Sequence, residues 1–342
     1  MSETEIFPAP PTYKDRRTGL VAFGIVQIVL GGFTALMIPL FLFSQHVMEQ
    51  QQPGSVYGPS LALMMGMYGT LALVLVCLGI GSIKARRWAR ALTLVGGWSW
   101  LIMGLFSLVS QAIMLPRILA GSTPPGAAVP HTALVVAMVG MFLVMGIVFI
   151  VLPAAFVWFY GSRHVKATCE ARNPQTSWTD GCPLPVLAMC LWLAVGAVSM
   201  FAMPLAGMGV LPLFGKLVSG PVAAAVFVVL GVAWAWAAWA TYRRRMEAWW
   251  FVVGMMTVFG VSCGITFLRV DPLEIYRVMH YPEQQIELIR HLGIMTGPVM
   301  AWCSAGGAVI WLGFLLWVRR YFKPVPPPPT PTAPLADAPS VQ

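Results

Sequence analysis

The segment Gly-Val-Ser-Cys-Gly at residues 260–264 has the Gly-x-Ser-x-Gly spacing that carries the nucleophilic serine of many hydrolases. In those enzymes a sharp strand-to-helix turn exposes the serine beside an oxyanion hole. The residues around Ser262 instead form a continuous apolar stretch with no strand signal and no soluble domain around it. A general base must also come within about 3 Å of the hydroxyl, and none of the long apolar stretches contains a histidine.

Small residues at this spacing have a second use, which is close packing of helices inside a membrane. Gly260 and Gly264 form a Gly-x-x-x-Gly pair, and Ser262 keeps the surface between them small. We therefore predict helix packing for these three residues and no catalytic residue. An intramembrane serine hydrolase using Ser262 is the remote alternative.

Histidine, cysteine and methionine side chains could in principle bind a soft metal ion such as copper. The chain has 21 methionines and five histidines, but no two histidines are three or four residues apart. His164, Cys169 and Cys182 share one loop, yet they lack the tight paired spacing of zinc sites. The sequence predicts no metal and no cofactor.

Composition identifies the elements that would position these residues. Hydrophobic residues make up 58% of the chain and charged residues 10%, against roughly 25% charged in soluble proteins. Eight stretches of 21 to 29 residues lack Asp, Glu, Lys, Arg and His, and each is long enough to cross a bilayer. We predict an all-α integral membrane protein with eight transmembrane helices.

The basic residues predict how these helices are oriented. With the N-terminus in the cytoplasm, the inner segments hold 16 of the 21 Lys and Arg residues. This distribution follows the positive-inside rule, so both termini are expected in the cytoplasm and the protein in the inner (plasma) membrane. The formal net charge of +9 predicts attraction of anionic lipid headgroups at that face. Because the cations are scattered over short loops, it does not indicate a nucleic-acid partner.

Landmarks that recur along the chain predict an internal duplication. The turn at Arg86 resembles the turn at Arg243, and Trp158 matches Trp317. Gly31 and Pro39 are eight residues apart, as are Gly196 and Pro204, which marks both pairs as possible helix kinks or pathway residues. Two units with an even number of spans insert the same way up, so the repeats would be parallel in orientation.

The predicted organisation has five parts. They are a cytoplasmic N-terminal segment (1–18), a first four-helix repeat (19–160), a cytoplasmic linker loop (161–183), a second four-helix repeat (184–318) and a proline-rich disordered cytoplasmic tail (319–342).

An outer loop at 269–292 is long enough to hold structure of its own. Asp271, Pro272 and Glu274 have the form of a helix N-cap, a first-turn proline and a capping glutamate. Pro282 can begin a second helix, whose Ile286 and Ile289 recur at helical spacing. We predict two short helices on the outer surface over the second repeat, and this loop is the first candidate for a partner or a gate.

The apolar stretches contain no ionisable side chain, whereas proton relays and ion-coupled transporters normally place one there. The sequence therefore favours a non-enzymatic membrane scaffold or accessory subunit, in contact with lipid and with other membrane subunits. The alternative is an uncoupled (facilitative) or lipid-handling transporter with its pathway between the two repeats.

Overall fold

The structure is a computed structural model, and it describes residues 13–51, 58–121, 131–207, 209–279, 281, 283–292 and 295–322. The predicted N-terminal segment up to residue 12, the tail from residue 323 and Pro282 lie outside these residues. Within the described part, eight helical segments are long and apolar enough to cross a membrane. The protein is therefore a multi-pass, predominantly helical membrane protein.

The helices and strands follow one another in a simple order. They are α1 (Arg17–Gln51), α2 (Gly58–Ile83), α3 (Arg87–Gly121), α4 (His131–Gly146), a π-helix (Ile147–Val151), α5 (Leu152–Gly161), α6 (Arg163–Arg172), a 3-10 helix (Trp178–Gly181), α7 (Leu184–Leu205), β1 (Leu211–Leu213), β2 (Lys216–Val218), α8 (Gly220–Tyr242), α9 (Met246–Arg269), α10 (Leu273–Val278), α11 (Glu283–Leu292), α12 (Gly297–Val318) and a 3-10 helix (Arg319–Tyr321). We call α1 to α5 the first half and α7 to α12 the second half.

The loops divide between two faces of the helical assembly. The basic face carries residues 13–16, the α2–α3 turn, the linker 162–183 with α6, the α8–α9 turn and residues 319–322. The opposite face carries β1, β2, α10 and α11. The β1–β2 hairpin was not expected from the sequence, which predicts helices alone.

Each half is built from antiparallel helix pairs. In the first half α1 packs along α2, and α3 packs against the π-helix and α5. In the second half α7 packs along α8, and α9 packs along α12. The approach of α1 to α2 depends on Gly24 and Gly79, since a Cβ on Gly79 would lie 2.6 Å from the Gly24 carbonyl oxygen.

The π-helix in the fourth span has a local cause. Pro153 has no N–H, and its ring disfavours the regular helical position of the carbonyl four residues earlier, which is that of Phe149. The single wide turn at Ile147–Val151 moves this carbonyl against α3 at Gly104, where a Cβ would collide with it.

The α2–α3 and α8–α9 turns have the same backbone structure. Arg86 N donates to Gly81 O (2.8 Å), and Arg245 N donates to Ala240 O (3.0 Å). Ala85 and Arg244 both take the left-handed conformation, with φ of 50° and 56°. These hydrogen bonds align the turns at an offset of 159 residues, whereas the sequence comparison sets Arg86 against Arg243 at an offset of 157. The sequence-based alignment of the two turns therefore differs by two residues from the alignment given by their backbone hydrogen bonds.

The core is continuous between the two halves. Ala91 and Val95 of α3 belong to the same buried cluster as Val186 and Leu187 of α7 and Trp249 of α9. A second buried cluster lies within the first half and includes Leu20, Phe156 and Tyr160, together with Val165 and Cys169 of α6. The linker is thus a packed element of the fold, with one helix and one 3-10 turn.

Candidate functional site

Ser262 and Thr266 of α9 hold the β1–β2 hairpin. The Ser262 hydroxyl donates to Pro212 O (3.0 Å) and accepts from Phe214 N (3.0 Å). One helical turn further on, Thr266 Oγ1 accepts from Gly215 N (2.9 Å). Both side chains are almost completely buried. The two hydroxyls therefore replace the hydrogen bonds that the hairpin backbone would otherwise make to water.

The hairpin turn itself requires unusual backbone angles. Phe214 and Gly215 have φ of 44° and 93°, as in a two-residue type I′ turn, which matches the twist of antiparallel strands. The Arg269 side chain lies over Gly215, where a Cβ would be 2.9 Å from Arg269 Cδ. The backbone at Gly215 is thereby covered by the arginine at the end of α9, while the Phe214 side chain is exposed.

The chemistry open to Ser262 follows from these contacts. A nucleophilic serine donates its proton to a base, whereas this hydroxyl donates to a backbone carbonyl. The side chains of His131 and His291, and all of His280, lie outside the described residues. The arrangement of Ser262 and Thr266 positions a loop, and the packing role predicted for Ser262 stays a prediction beside this contact.

The start of α10 is fixed by Asp271. Its Oδ1 accepts from Leu273 N (3.0 Å), and its carbonyl accepts from Glu274 N (2.9 Å). Pro272 precedes the helix and is buried with Leu273. Glu274 turns away from the cap and pairs with Arg277 (3.0 Å), so it acts as an ion-pair partner within α10.

Helix α11 connects this loop to the first half of the protein. Ile286 is completely buried and Ile289 is half-buried, while Glu283 faces solvent and pairs with Arg277 of α10 (3.6 Å). The helix lies against α3. This contact with the first half was not expected from the sequence, which predicts both short helices over the second half; that placement stays a prediction. We call the hairpin, α10 and α11 together the cap.

Two titratable groups in the cap, Arg277 and Tyr276, have pKa values above their ordinary values. The hydrogen bond from Arg277 to Glu274 raises the pKa of Arg277, so this guanidinium keeps its charge at any accessible pH. Burial raises the pKa of Tyr276, with a smaller contribution from Tyr281. The two tyrosine rings meet edge to face at 5.3 Å, which packs the end of α10 onto the segment before α11.

On the basic face, the linker is bound to both halves. Arg87 Nε donates to Asn173 O (2.7 Å), and Arg87 also pairs with Asp180 (3.5 Å). Tyr242 OH, at the end of α8, donates to Trp178 O (2.9 Å). The segment before α1 joins the same assembly through the Asp15–Arg172 ion pair (2.9 Å), which lowers the pKa of Asp15.

Polar side chains inside the first half also form hydrogen bonds between helices. Gln27 Nε2 of α1 donates to Thr93 Oγ1 of α3 (3.0 Å), and Ser82 of α2 is hydrogen-bonded to Tyr160 of α5. Each bond joins helices that are distant in sequence, so the bonds fix how the first half is assembled.

The remaining predicted residues are placed as follows. A Cβ on Gly260 would lie 3.1 Å from Ala308 Cβ of α12, while a Cβ on Gly264 would meet nothing within 4 Å. Gly31 faces Ala72 and Val76 of α2, and Gly196 has open space beside it. Pro39 is inside α1 and Pro204 is in the last turn of α7. The predicted kink and pathway roles stay predictions.

The sulfur and histidine groups do not converge in the described part of the chain. No group of three or more His, Cys, Asp and Glu side chains there is arranged to hold a metal ion. Cys169 is buried on the inner side of α6, and this burial raises its pKa to about 11.

Thr266, Gly215 and the Gly24–Gly79 contact are structural features that the sequence alone does not identify. The positions 262 and 266 are one helical turn apart, which places both hydroxyls on one face of α9. That spacing is evident in the sequence. The hairpin that the two hydroxyls contact, Pro212 to Gly215, is not, because its apolar residues resemble an ordinary loop between two spans.

Comparison of the chain with protein families, with curated proteins and with solved structures found no match.

Proposed function

We propose that the protein is a non-enzymatic protein of the inner (plasma) membrane that acts as a scaffold or as an accessory subunit of a complex. The observation that carries this proposal is that α3 joins the first half to the second half at three depths. A scaffold needs a fixed shape, and ties at three depths oppose rotation of one half against the other.

The ties belong to different elements. On the basic face the linker bonds to Arg87 of α3 and to Tyr242 of α8. Within the helical region Trp192 Nε1 of α7 donates to Ser99 Oγ of α3 (2.9 Å). On the opposite face α11 lies against α3.

The rival function is a facilitative or lipid-handling transporter with its pathway between the halves. Alternating access requires one half to rock against the other around a central site. Such a movement would have to break the Trp192–Ser99 bond and either the linker contacts or the α11 contact in every cycle. The geometry therefore favours the scaffold over this rival.

Pairs of spin labels across the halves test this proposal. One pair, Ser44→Cys and Thr296→Cys, reports on the opposite face, and a second pair, Thr18→Cys at the start of α1 and Arg320→Cys, reports on the basic face. In lipid nanodiscs we expect a single narrow distance distribution for each pair. Two populations that change in opposite directions on the two faces would contradict the scaffold and support alternating access.

A scaffold must also hold a partner, and the cap offers an exposed apolar turn at Leu213 and Phe214. We expect one protein to co-purify at fixed stoichiometry and to be lost from Phe214→Asn, since asparagine tolerates the positive φ at this turn. Val222→Ala, which trims an exposed side chain of α8 and leaves the turn residues unchanged, is the control. Bound lipid as the sole stoichiometric companion would contradict the accessory-subunit role.

The basic face is assigned to the cytoplasm in this proposal, following the positive-inside rule. The two halves are assigned to a parallel duplication, which is supported by the matching α2–α3 and α8–α9 turns. Trp158 and Trp317 are also 159 residues apart, the same offset as the turns.

A further inference from the structure

The α2–α3 turn borders a groove of about 360 Å³ at the basic face. Its wall on α2 is formed by Cys77, Ile80 and Gly81, which share one side of the helix. The ring of Trp88 from α3 forms the other wall and lies directly against Gly81, where a Cβ would be 2.9 Å from the indole. Lys84 and Arg86 complete the lining of the groove.

The groove carries two cations, Lys84 and Arg86. Lys84 and Arg86 are exposed, and neither has an ion-pair partner among the residues that the structure describes. They lie where α2 ends, which is the depth of the lipid phosphates for a helix of membrane-spanning length. Cys77 lies seven residues inside Lys84, or about 10 Å deeper at 1.5 Å per residue.

The equivalent turn in the second half carries larger side chains at the matching positions. At the offset of 159 residues, Ile80 corresponds to Trp239 and Cys77 corresponds to Trp236. The cations that correspond to Lys84 and Arg86 are Arg243 and Arg245. Their guanidinium groups lie over the Trp239 ring, at 5.8 and 4.9 Å from its centroid.

One half of the protein thus carries two indole rings at these positions, and both of its arginines lie over one of them, Trp239. The other half has smaller side chains, an open apolar groove and free cations around the same backbone turn. An occupant that satisfies this site must be apolar along its length and anionic at the end.

We propose that the groove between α2 and Trp88 is a binding site for one anionic phospholipid. Its phosphate lies between Lys84 and Arg86, and an acyl chain extends along Ile80 to Cys77. The proposal is independent of the scaffold function, since it concerns the lipid-facing surface of α2 and requires no partner protein.

Alkylation of Cys77 tests the site, because the proposed acyl chain covers this exposed thiol. The background is Cys303→Ser, which removes the other exposed cysteine of the described chain, and the reagent is N-ethylmaleimide in detergent micelles. Added phosphatidylglycerol should slow the alkylation of Cys77 several-fold. Phosphatidylcholine and inorganic phosphate should leave it unchanged.

Two variants and a matched control test separately how the headgroup cations and the apolar groove contribute to lipid binding. Lys84→Gln with Arg86→Gln should raise the phosphatidylglycerol concentration for half protection about thirtyfold, the factor for two cations at a membrane surface. Ile80→Trp, which copies the second half, should abolish the lipid effect. Arg243→Gln with Arg245→Gln removes the same charge from the other turn and should leave the protection intact.

The same comparison can be made by native mass spectrometry from nanodiscs that contain both lipids. The wild-type protein should retain one more phosphatidylglycerol than the Lys84→Gln/Arg86→Gln variant. Equal protection of Cys77 by phosphatidylcholine, or protection that survives the Lys84→Gln/Arg86→Gln change, would overturn the proposal.

Discussion

Single hydroxyl groups at the cap have a structural role that their sequence context conceals. Ser262 lies in the spacing of a hydrolase nucleophile, but its hydroxyl has one backbone donor and one backbone acceptor on the hairpin. A buried N–H or C=O that loses its partner costs about 1–3 kcal/mol. The residue therefore contributes to stability through two groups on another element.

Ser262→Ala should release the hairpin while leaving α9 intact. We expect amide exchange at Phe214 to become about tenfold faster or more, because its N–H loses the Ser262 acceptor. Exchange at Gly215 should change less, since Thr266 still accepts from it. Ser199→Ala is the control, because the Ser199 hydroxyl donates within its own helix to Val195 O (2.9 Å).

The outcome that contradicts this prediction is unchanged protection of the Phe214 amide. Labelling of Ser262 by a fluorophosphonate, lost in Ser262→Ala, would restore the hydrolase interpretation.

Whole helices in the first half pack closely where glycines face each other. A Cβ on Gly24 would lie 2.8 Å from the Gly79 carbonyl oxygen, and a Cβ on Gly79 would lie 2.6 Å from the Gly24 carbonyl oxygen, so neither position has room for a side chain. Backbones that approach this closely gain dispersion contacts, which replace the hydrophobic effect as the source of helix association in lipid. The α1–α2 pair therefore depends on the absence of two side chains.

Gly79→Ala should separate α1 from α2 and lower the free energy of unfolding by about 1–3 kcal/mol, the usual cost of overpacking. Gly32→Ala is the matched control on α1, because a Cβ there meets nothing within 4 Å. That change should be neutral or stabilising by up to about 1 kcal/mol, since alanine restricts the unfolded chain. Both values can be measured by unfolding in mixed micelles, and equal effects of the two changes would contradict the packing account.

The protein as a whole has two chemically different faces. Aromatic and arginine side chains meet on the basic face, where Arg319 lies over Trp249 (5.1 Å) and Arg320 lies over Trp317 (4.9 Å). Such pairs suit the interfacial region, where the rings contact lipid and the cations reach phosphates. The opposite face carries the cap, in which the charged side chains pair within and between α10 and α11.

Cysteine labelling in intact cells should separate the two faces. Gln50→Cys, at the end of α1 on the opposite face, should react with an impermeant thiol reagent. Gln175→Cys, in the linker, should react only after the cells are opened if the proposed positive-inside orientation holds, since the basic face would then lie in the cytoplasm. Both positions are exposed glutamines, so intrinsic accessibility is matched. The reverse labelling pattern would show that the charge argument fails.

Sequence alone predicted the eight spans, because a helix that crosses lipid needs about 20 apolar residues whatever its neighbours are. Asp271 and Pro272 likewise marked the beginning of α10 locally, through hydrogen bonds that reach only two or three residues. These features depend on interactions between residues close together in the chain, so the local sequence is sufficient to predict them.

Tertiary structure decided which surfaces meet. The eight spans are apolar nearly all round, so periodicity does not indicate which side of a span faces lipid and which faces protein. Two features depend on contacts between residues about 50 or more positions apart, namely the hairpin held by Ser262 and the position of α11 against α3. The groove beside Trp88 depends on how far α2 and α3 diverge. The sequence therefore determined that the described part of the chain has eight helices long and apolar enough to cross a membrane, and three-dimensional packing determined what its serines, glycines and cations contact.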